Sequence, residues 1–148
     1  MAAILIVAHS PLASALRVVA EHAYCDCGAD VVALDIPADV GLEEATVRVS
    51  AALKALKAPE VLVLVDAFGA TPGNAAMAAA DGQRERVVTG VNVPMLWRTL
   101  CYASLPLGEL VTRAADGALQ GIMQVAQPRR QNQPQRPPSD DPDAHPDQ

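Results

Sequence analysis

A histidine and an aspartate each follow an apolar run that is typical of a buried strand. His9 ends the run at residues 2–8, and Asp66 follows the run at residues 61–65. A carboxylate that holds one imidazole nitrogen fixes the tautomer and leaves the other nitrogen free as a nucleophile. The pair therefore predicts nucleophilic chemistry if the fold brings the two side chains together. The alternative is that His9 is only a polar residue at the end of a strand.

Helix N-termini are predicted near this pair. In three places a proline opens a run with helical spacing: Ser10-Pro11, Thr71-Pro72 and Val93-Pro94. Proline is favoured at the first helical position, and the N–H groups of a helix N-terminus attract anions. Three small residues would let the backbone approach a bound group closely: Gly69, Ala70 and Gly73. Together these features suggest a phosphate site in which His9 accepts a phosphoryl group and passes it on.

Strand and helix patterns alternate along the chain. Apolar runs predict strands at 31–34 and 86–91 besides the two already given, and helical patterns lie between them. Such alternation predicts an α/β fold with a doubly wound, mostly parallel sheet. Right-handed crossovers favour the strand order 2-1-3-4, in which strands 1 and 3 end at the point where the winding reverses and ligands bind. Residues 121–125 predict one more short strand at an edge of the sheet.

Composition narrows the class of function. The chain has 148 residues, a size that fits one domain, and a net charge of −6. This charge argues against nucleic acid as a partner, because nucleic-acid-binding proteins usually carry a basic stripe. Aromatic residues make up only 3% of the chain, which disfavours a flavodoxin-like domain that stacks a flavin. No nucleotide-binding motif is present, and no cofactor is expected.

The C-terminal residues differ from the rest in composition. Residues 127–148 hold six of the twelve prolines, and Ala144 is their only other apolar residue. Such a segment cannot bury enough apolar surface to offset its ordering entropy. We therefore predict a domain at residues 1–126 and a disordered tail at 127–148.

Other features indicate a cytoplasmic protein. The N-terminus lacks the basic region of a signal peptide, and no apolar stretch is long enough to span a membrane. Cys25, Cys27 and Cys101 are an odd number of cysteines, which argues against a disulfide framework, and no metal site is expected. Ser10 and Ser14 lack the G-x-S-x-G pattern of a serine nucleophile. Acidic residues near the second strand are interpreted as solvating strand ends and loops: Asp30, Asp35 and Asp39.

Over roughly residues 1–125 the chain resembles the IIA component of the mannose-type sugar phosphotransferase system (PTS). Three blocks carry the resemblance: Val7-Ala8-His9, VDAFGATPGN at residues 65–74, and GVNVPML at residues 90–96. Two positions depart from the family pattern. Ser10-Pro11 follows the histidine where many members have glycine, and Ala70 replaces the second glycine of a G-G-S-P block.

The resemblance implies a phosphohistidine carrier. His9 would take a phosphoryl group from the carrier protein HPr and give it to a IIB protein, while Asp66 orients the imidazole and Thr71 contacts the phosphate. The expected phosphate-binding residues are Ser10, Gly69, Ala70, Thr71 and Asn74. A homodimer that exchanges residues 121–125 is also implied. The alternative function is a regulatory phosphorelay in which the phosphorylation state of His9 controls a partner without sugar transport.

Overall fold

A four-stranded parallel sheet runs through the centre of the chain in the order β2-β1-β3-β4. The structure is a computed structural model and describes residues 1–23 and 29–126. The strands are β1 (Ala3–His9), β2 (Val31–Ile36), β3 (Val61–Val65) and β4 (Glu85–Thr89). The predicted fold class and strand order are confirmed.

Helices cover both faces of the sheet. They are α1 (Leu12–Ala23), α2 (Leu42–Ala55), α3 (Thr71–Ala79), α4 (Val93–Cys101) and α5 (Leu107–Gln120). One core joins Ile4 and Ile6 of β1 to α1, α4 and α5, and the other joins Leu5 and Val7 to α2 and α3. Residues of β1 alternate between these two cores, so every residue from Ala3 to Ala8 is buried. This explains why the first apolar run is continuous.

Three predicted elements need correction. Strand β4 ends at Thr89 and not at residue 91, because Gly90 turns the chain with a φ of +83°. Strand β2 does not stop at residue 34 but continues to Ile36, which places Asp35 inside the sheet. Residues 121–126 form no strand in this chain, and their apolar side chains are exposed, up to 82% for Val125. In the described part of the chain this segment pairs with no strand, and a strand needs a neighbour to supply its ladder of hydrogen bonds.

Some predictions fall on residues that the structure does not describe. The tail at 127–148, Cys25 and Cys27 lie outside the described residues. Within the described part of the chain, no helix is long and apolar enough to cross a membrane. The same residues contain no cluster of histidine, cysteine and acidic side chains that could hold a metal ion.

The topology brings the two candidate residues to one edge of the sheet. Strands β1 and β3 are parallel neighbours with Val7 opposite Val65, so His9 and Asp66 follow at the same carboxyl edge. The chain first crosses from β1 to β2 on one side of β1, and then crosses back past β1 to β3 on its other side. The winding of the sheet therefore reverses between β1 and β3. The crevice at this switch point is where open α/β sheets bind ligands.

Candidate functional site

The Asp66 carboxylate holds both the backbone and the side chain of His9. Its Oδ2 atom lies 2.6 Å from His9 Nδ1 and also accepts the His9 backbone N–H at 3.0 Å. Its Oδ1 atom accepts the N–H of Ala67 at 2.9 Å, which fixes the carboxylate against its own loop. The structure thus brings together the two residues that the sequence analysis paired.

The contact with Asp66 indicates which imidazole nitrogen of His9 carries the hydrogen. Burial raises the pKa of the Asp66 carboxyl, but hydrogen bonds from the N–H and imidazole of His9 outweigh it and hold the pKa below its ordinary value. Because an ionised carboxylate can only accept, Nδ1 of His9 must carry the hydrogen. In the neutral form of the imidazole, Nε2 is then the nitrogen with the lone pair. The side chain of His9 is 51% exposed and that of Asp66 only 12%, so a partner can reach the imidazole while the carboxylate is sheltered.

The loop between β3 and α3 has a backbone shape that requires glycine. Gly69 has a φ of +81°, in the left-handed region that glycine adopts without a steric penalty. Asn74, in the first turn of α3, donates from Nδ2 to the carbonyl of Gly69 at 3.3 Å. Asn74 therefore holds the loop in place. Phe68, at the tip of the loop, is 77% exposed.

Of the three predicted helix starts, that of α3 has no side chain that accepts one of its N–H groups. The N–H of Ser14 near the start of α1 is taken by Asp35, and the N–H of Met95 in α4 is taken by the Asn92 side chain. Helix α3 begins after Ala70, which provides no side-chain cap. The first-turn N–H groups of a helix have no acceptor within the helix, so those of α3 suit an incoming phosphate.

Ser10 has a different position from the one predicted. The sequence suggests that Ser10 caps a helix with Pro11 at its first position, but α1 begins at Leu12. The backbone N–H of Ser10 instead donates to the carbonyl of Ile36 at 3.0 Å and extends the pairing of β1 with β2. A contact between the Ser10 hydroxyl and a phosphate stays a prediction.

Gly73 lies where α3 approaches the loop that follows Asp66. A Cβ atom at this position would lie 2.6 Å from the carbonyl oxygen of Ala67 and 3.3 Å from Val65 Cγ1. The close approach that this small residue permits in the structure is between two segments of the protein's own backbone. Gly73 fixes the distance between the N-terminus of α3 and the loop that carries Asp66.

We expect Gly73→Ala to destabilise the domain by about 1–3 kcal/mol, because the methyl group forces α3 away from the loop. Chemical unfolding measures the change. Gly108→Ala in α5 is the matched control, since its Cβ would contact only Arg86 Nη1 at 3.4 Å and alanine favours a helix. Equal stability of Gly73→Ala and the wild type would contradict the close packing of α3.

Asp35 is the residue that the sequence analysis missed. It was interpreted as solvating a strand end, yet its carboxylate accepts hydrogen bonds from Ser14 at the start of α1. One signal could have indicated this role. The first turn of α1 contains no acidic residue, although acidic side chains are favoured there.

The fold and the site define a class of protein: an open parallel α/β domain with an aspartate-held histidine at the switch point of its sheet. Residues 3–115 match the family EIIA-man, described as the PTS system fructose IIA component. The chain belongs to this family, as the sequence resemblance implied. No curated protein sequence matches the chain significantly.

Solved structures with the same fold include other PTS proteins. The mannose/sorbose specific IIA subunit from Enterococcus faecalis is 25% identical, with a TM-score of 0.75 over 86% of this chain and 96% of that one. The PTS IIA protein associated with the fucose utilization operon of Streptococcus pneumoniae is 26% identical, with a TM-score of 0.63 over 78% and 93%. EIIA from Streptococcus agalactiae, at 24% identity and a TM-score of 0.71 over 84% and 97%, shares the fold.

Proposed function

We propose that this protein carries a phosphoryl group on His9, taking it from phospho-HPr and giving it to a IIB protein. Family membership supports a PTS phosphocarrier role. One observation favours His9 as the residue that carries the phosphoryl group. That observation is the 2.6 Å contact between His9 Nδ1 and Asp66, which leaves Nε2 as the nucleophile.

The proposed step is an in-line displacement at phosphorus. The Nε2 lone pair of His9 forms a bond to the phosphorus of the donor phosphohistidine, and the donor's P–N bond breaks. The donor ring starts as a phosphorylated imidazolium, takes back the electron pair of that bond and leaves as neutral imidazole, while the His9 ring becomes the phosphorylated imidazolium. Asp66 stabilises this positive charge through the Nδ1 hydrogen. Transfer to IIB is the same displacement with the roles exchanged.

The loop and helix at the carboxyl edge would bind the phosphoryl oxygens. Phosphoryl transfer depends mainly on positioning and on stabilisation of spread negative charge. We assign this role to the backbone N–H groups of Gly69 and Ala70 and to Thr71 at the uncapped start of α3, with Asn74 holding the loop. The Ser10 hydroxyl, on the other side of His9, supplies a further donor.

The test is a labelling reaction with the full chain. The protein is incubated with phosphoenolpyruvate labelled in its phosphate, enzyme I and HPr, and the label is followed by its acid lability. We expect label that depends on HPr and that moves on when a IIB protein is added. Absence of label would reject the proposal. Label that reaches His9 but no IIB protein would favour the alternative of a regulatory phosphorelay.

The proposed exchange with HPr and IIB places the protein in the cytoplasm. Both steps require that another protein approach the imidazole directly, and the half-exposed ring of His9 permits this. Phe68, exposed in the adjacent loop, offers an apolar contact to such a partner.

We also propose a homodimer in which residues 121–125 of each chain pair as a strand with the sheet of the other chain. Ile122 and Met123 are 74% and 71% exposed, and β4 is an edge strand of the described sheet. Unpaired edges and exposed apolar residues favour association. Light scattering should show a dimer, and Ile122→Lys should shift it towards monomer. A wild-type monomer at micromolar concentration would reject the exchange.

A further inference from the structure

The Asp35 carboxylate joins strand β2 to the first turn of helix α1. Oδ1 accepts the backbone N–H of Ser14 at 3.2 Å, and Oδ2 accepts the Ser14 hydroxyl. Ser14 is the third residue of α1, so its N–H has no acceptor within the helix. Asp35 therefore provides from a neighbouring strand the acceptor and the negative charge that a helix N-terminus attracts.

This contact lies close to His9 along the chain. Only Ser10 and Pro11 separate the end of β1 from the start of α1. The N–H of Ser10 donates to the carbonyl of Ile36, which is also the residue paired with His9 in the sheet. Asp35 and its neighbour Ile36 thus hold both ends of the two-residue connection. A displacement of the first turn of α1 would reach the backbone of His9 within three peptide bonds or so.

The choice of acceptor distinguishes α1 from α4. Helix α4 is capped locally by Asn92, the residue just before it, whose Oδ1 accepts the N–H of Met95 at 2.8 Å. A local cap stabilises a helix without tying it to another element. The cap of α1 comes from a different strand, 21 positions along the chain from Ser14, and so attaches the helix to the sheet.

We propose that Asp35 is a positioning residue which, through Ser14, fixes the main chain after His9 for in-line phosphoryl transfer. This inference rests on the proposed function. Strand β1 lies between β2 and β3, so His9 is held from both sides. Asp66 on the β3 side orients the imidazole, and Asp35 on the β2 side holds the segment that follows it.

The main test measures phosphoryl transfer from phospho-HPr to Asp35→Ala, Ser14→Ala and the double variant. We expect Asp35→Ala to lower kcat by about 10- to 100-fold with an unchanged KM for phospho-HPr, as a misplaced nucleophile would. Ser14→Ala keeps the backbone N–H that Asp35 accepts, so its kcat should fall less than that of Asp35→Ala. The double variant should transfer no more slowly than Asp35→Ala, because both substitutions remove one contact.

Asp81→Ala is the matched control. Asp81 also accepts backbone N–H groups with its carboxylate, those of Gln83, Arg84 and Glu85, but it precedes β4 at the opposite edge of the sheet. Well below its melting temperature this variant should transfer at the wild-type rate, although it is less stable. Equal losses of kcat in Asp81→Ala and Asp35→Ala would overturn the proposal, since a general loss of stability would then explain both.

A second measurement does not depend on phosphorylation. Nuclear magnetic resonance of the ring nitrogens of His9 in the unphosphorylated full chain reports its tautomer and its order. We expect these signals to shift or broaden in Asp35→Ala and to stay unchanged in Asp81→Ala. Unchanged ring signals in Asp35→Ala would overturn the positioning role. Failure of the wild type to accept label, with altered ring signals in Asp35→Ala, would reject the carrier function alone. If Asp35→Ala does not fold, both the transfer kinetics and the ring signals are measured on Ser14→Ala instead.

Discussion

His9→Gln should take up no phosphoryl group from phospho-HPr above background. Glutamine keeps a polar side chain of similar reach at the end of β1, but its amide nitrogen has no available lone pair with which to form a P–N bond. Asp66 can still bind the backbone N–H of residue 9, so the sheet edge is retained. Phosphoenolpyruvate-dependent labelling, followed by acid treatment, measures the loss.

His22→Gln is the matched control for this substitution. His22 lies in α1, where its Nδ1 contacts the carbonyl of Val18 at 2.9 Å, far along the helix from the site. This variant should be labelled as the wild type is. Retention of label in His9→Gln, or its loss in His22→Gln alone, would show that another histidine accepts the group.

Asp66→Asn should slow transfer to His9 by about 10²- to 10⁴-fold, because the same change in a carboxylate that orients a catalytic imidazole can cost about 10⁴-fold. The amide NH2 can donate to Nδ1, which favours the tautomer with hydrogen on Nε2 and removes the nucleophile. The neutral amide also fails to stabilise the imidazolium that forms with the P–N bond. Single-turnover transfer from phospho-HPr measures the effect on the chemical step.

The fold of Asp66→Asn should remain close to that of the wild type. With the NH2 in the place of Oδ2, the asparagine oxygen still accepts the N–H of Ala67, while the N–H of His9 loses its acceptor. The backbone ladder between β1 and β3 does not depend on this side chain and is maintained. Ring nitrogen resonances of His9 should report the change of tautomer directly. Transfer within threefold of the wild-type rate would contradict the orienting role of Asp66.

The pairing of His9 with Asp66 could be predicted from the sequence because it depends on strand order. Each residue follows an apolar run, and the order 2-1-3-4 makes those two runs neighbours with their carboxyl ends at one edge. No side-chain detail is needed for this inference. The start of α3 could be predicted from a local signal, since Pro72 marks the beginning of the helix in the sequence, whereas the absence of a side-chain cap is seen only in the structure.

The roles of Asp35 and Gly73 depend on contacts between elements and could not be read from local patterns. Asp35 was placed after its strand because an acidic residue interrupts the apolar run, yet pairing with β1 extends β2 to Ile36. The space around Gly73 is set by the carbonyl of Ala67, whose direction follows from the loop conformation. Residues 121–125 have a strand-like composition, but composition does not provide the neighbouring strand that a ladder requires.

A single oxygen atom, Oδ2 of Asp66, receives both the backbone N–H and the imidazole of His9. The carboxylate of Asp66 therefore links the imidazole to the backbone of the same residue. Rotation about the side-chain bonds of His9 would break the hydrogen bond from Nδ1 to this charged group. The entropy of orienting the imidazole is therefore lost once, when the domain folds, and not again at each encounter with a partner. Under the proposed function the same ring would both receive and release the phosphoryl group, so the geometry of the site would favour neither direction. The direction of flow would then follow from the relative phosphorylation of the two partners.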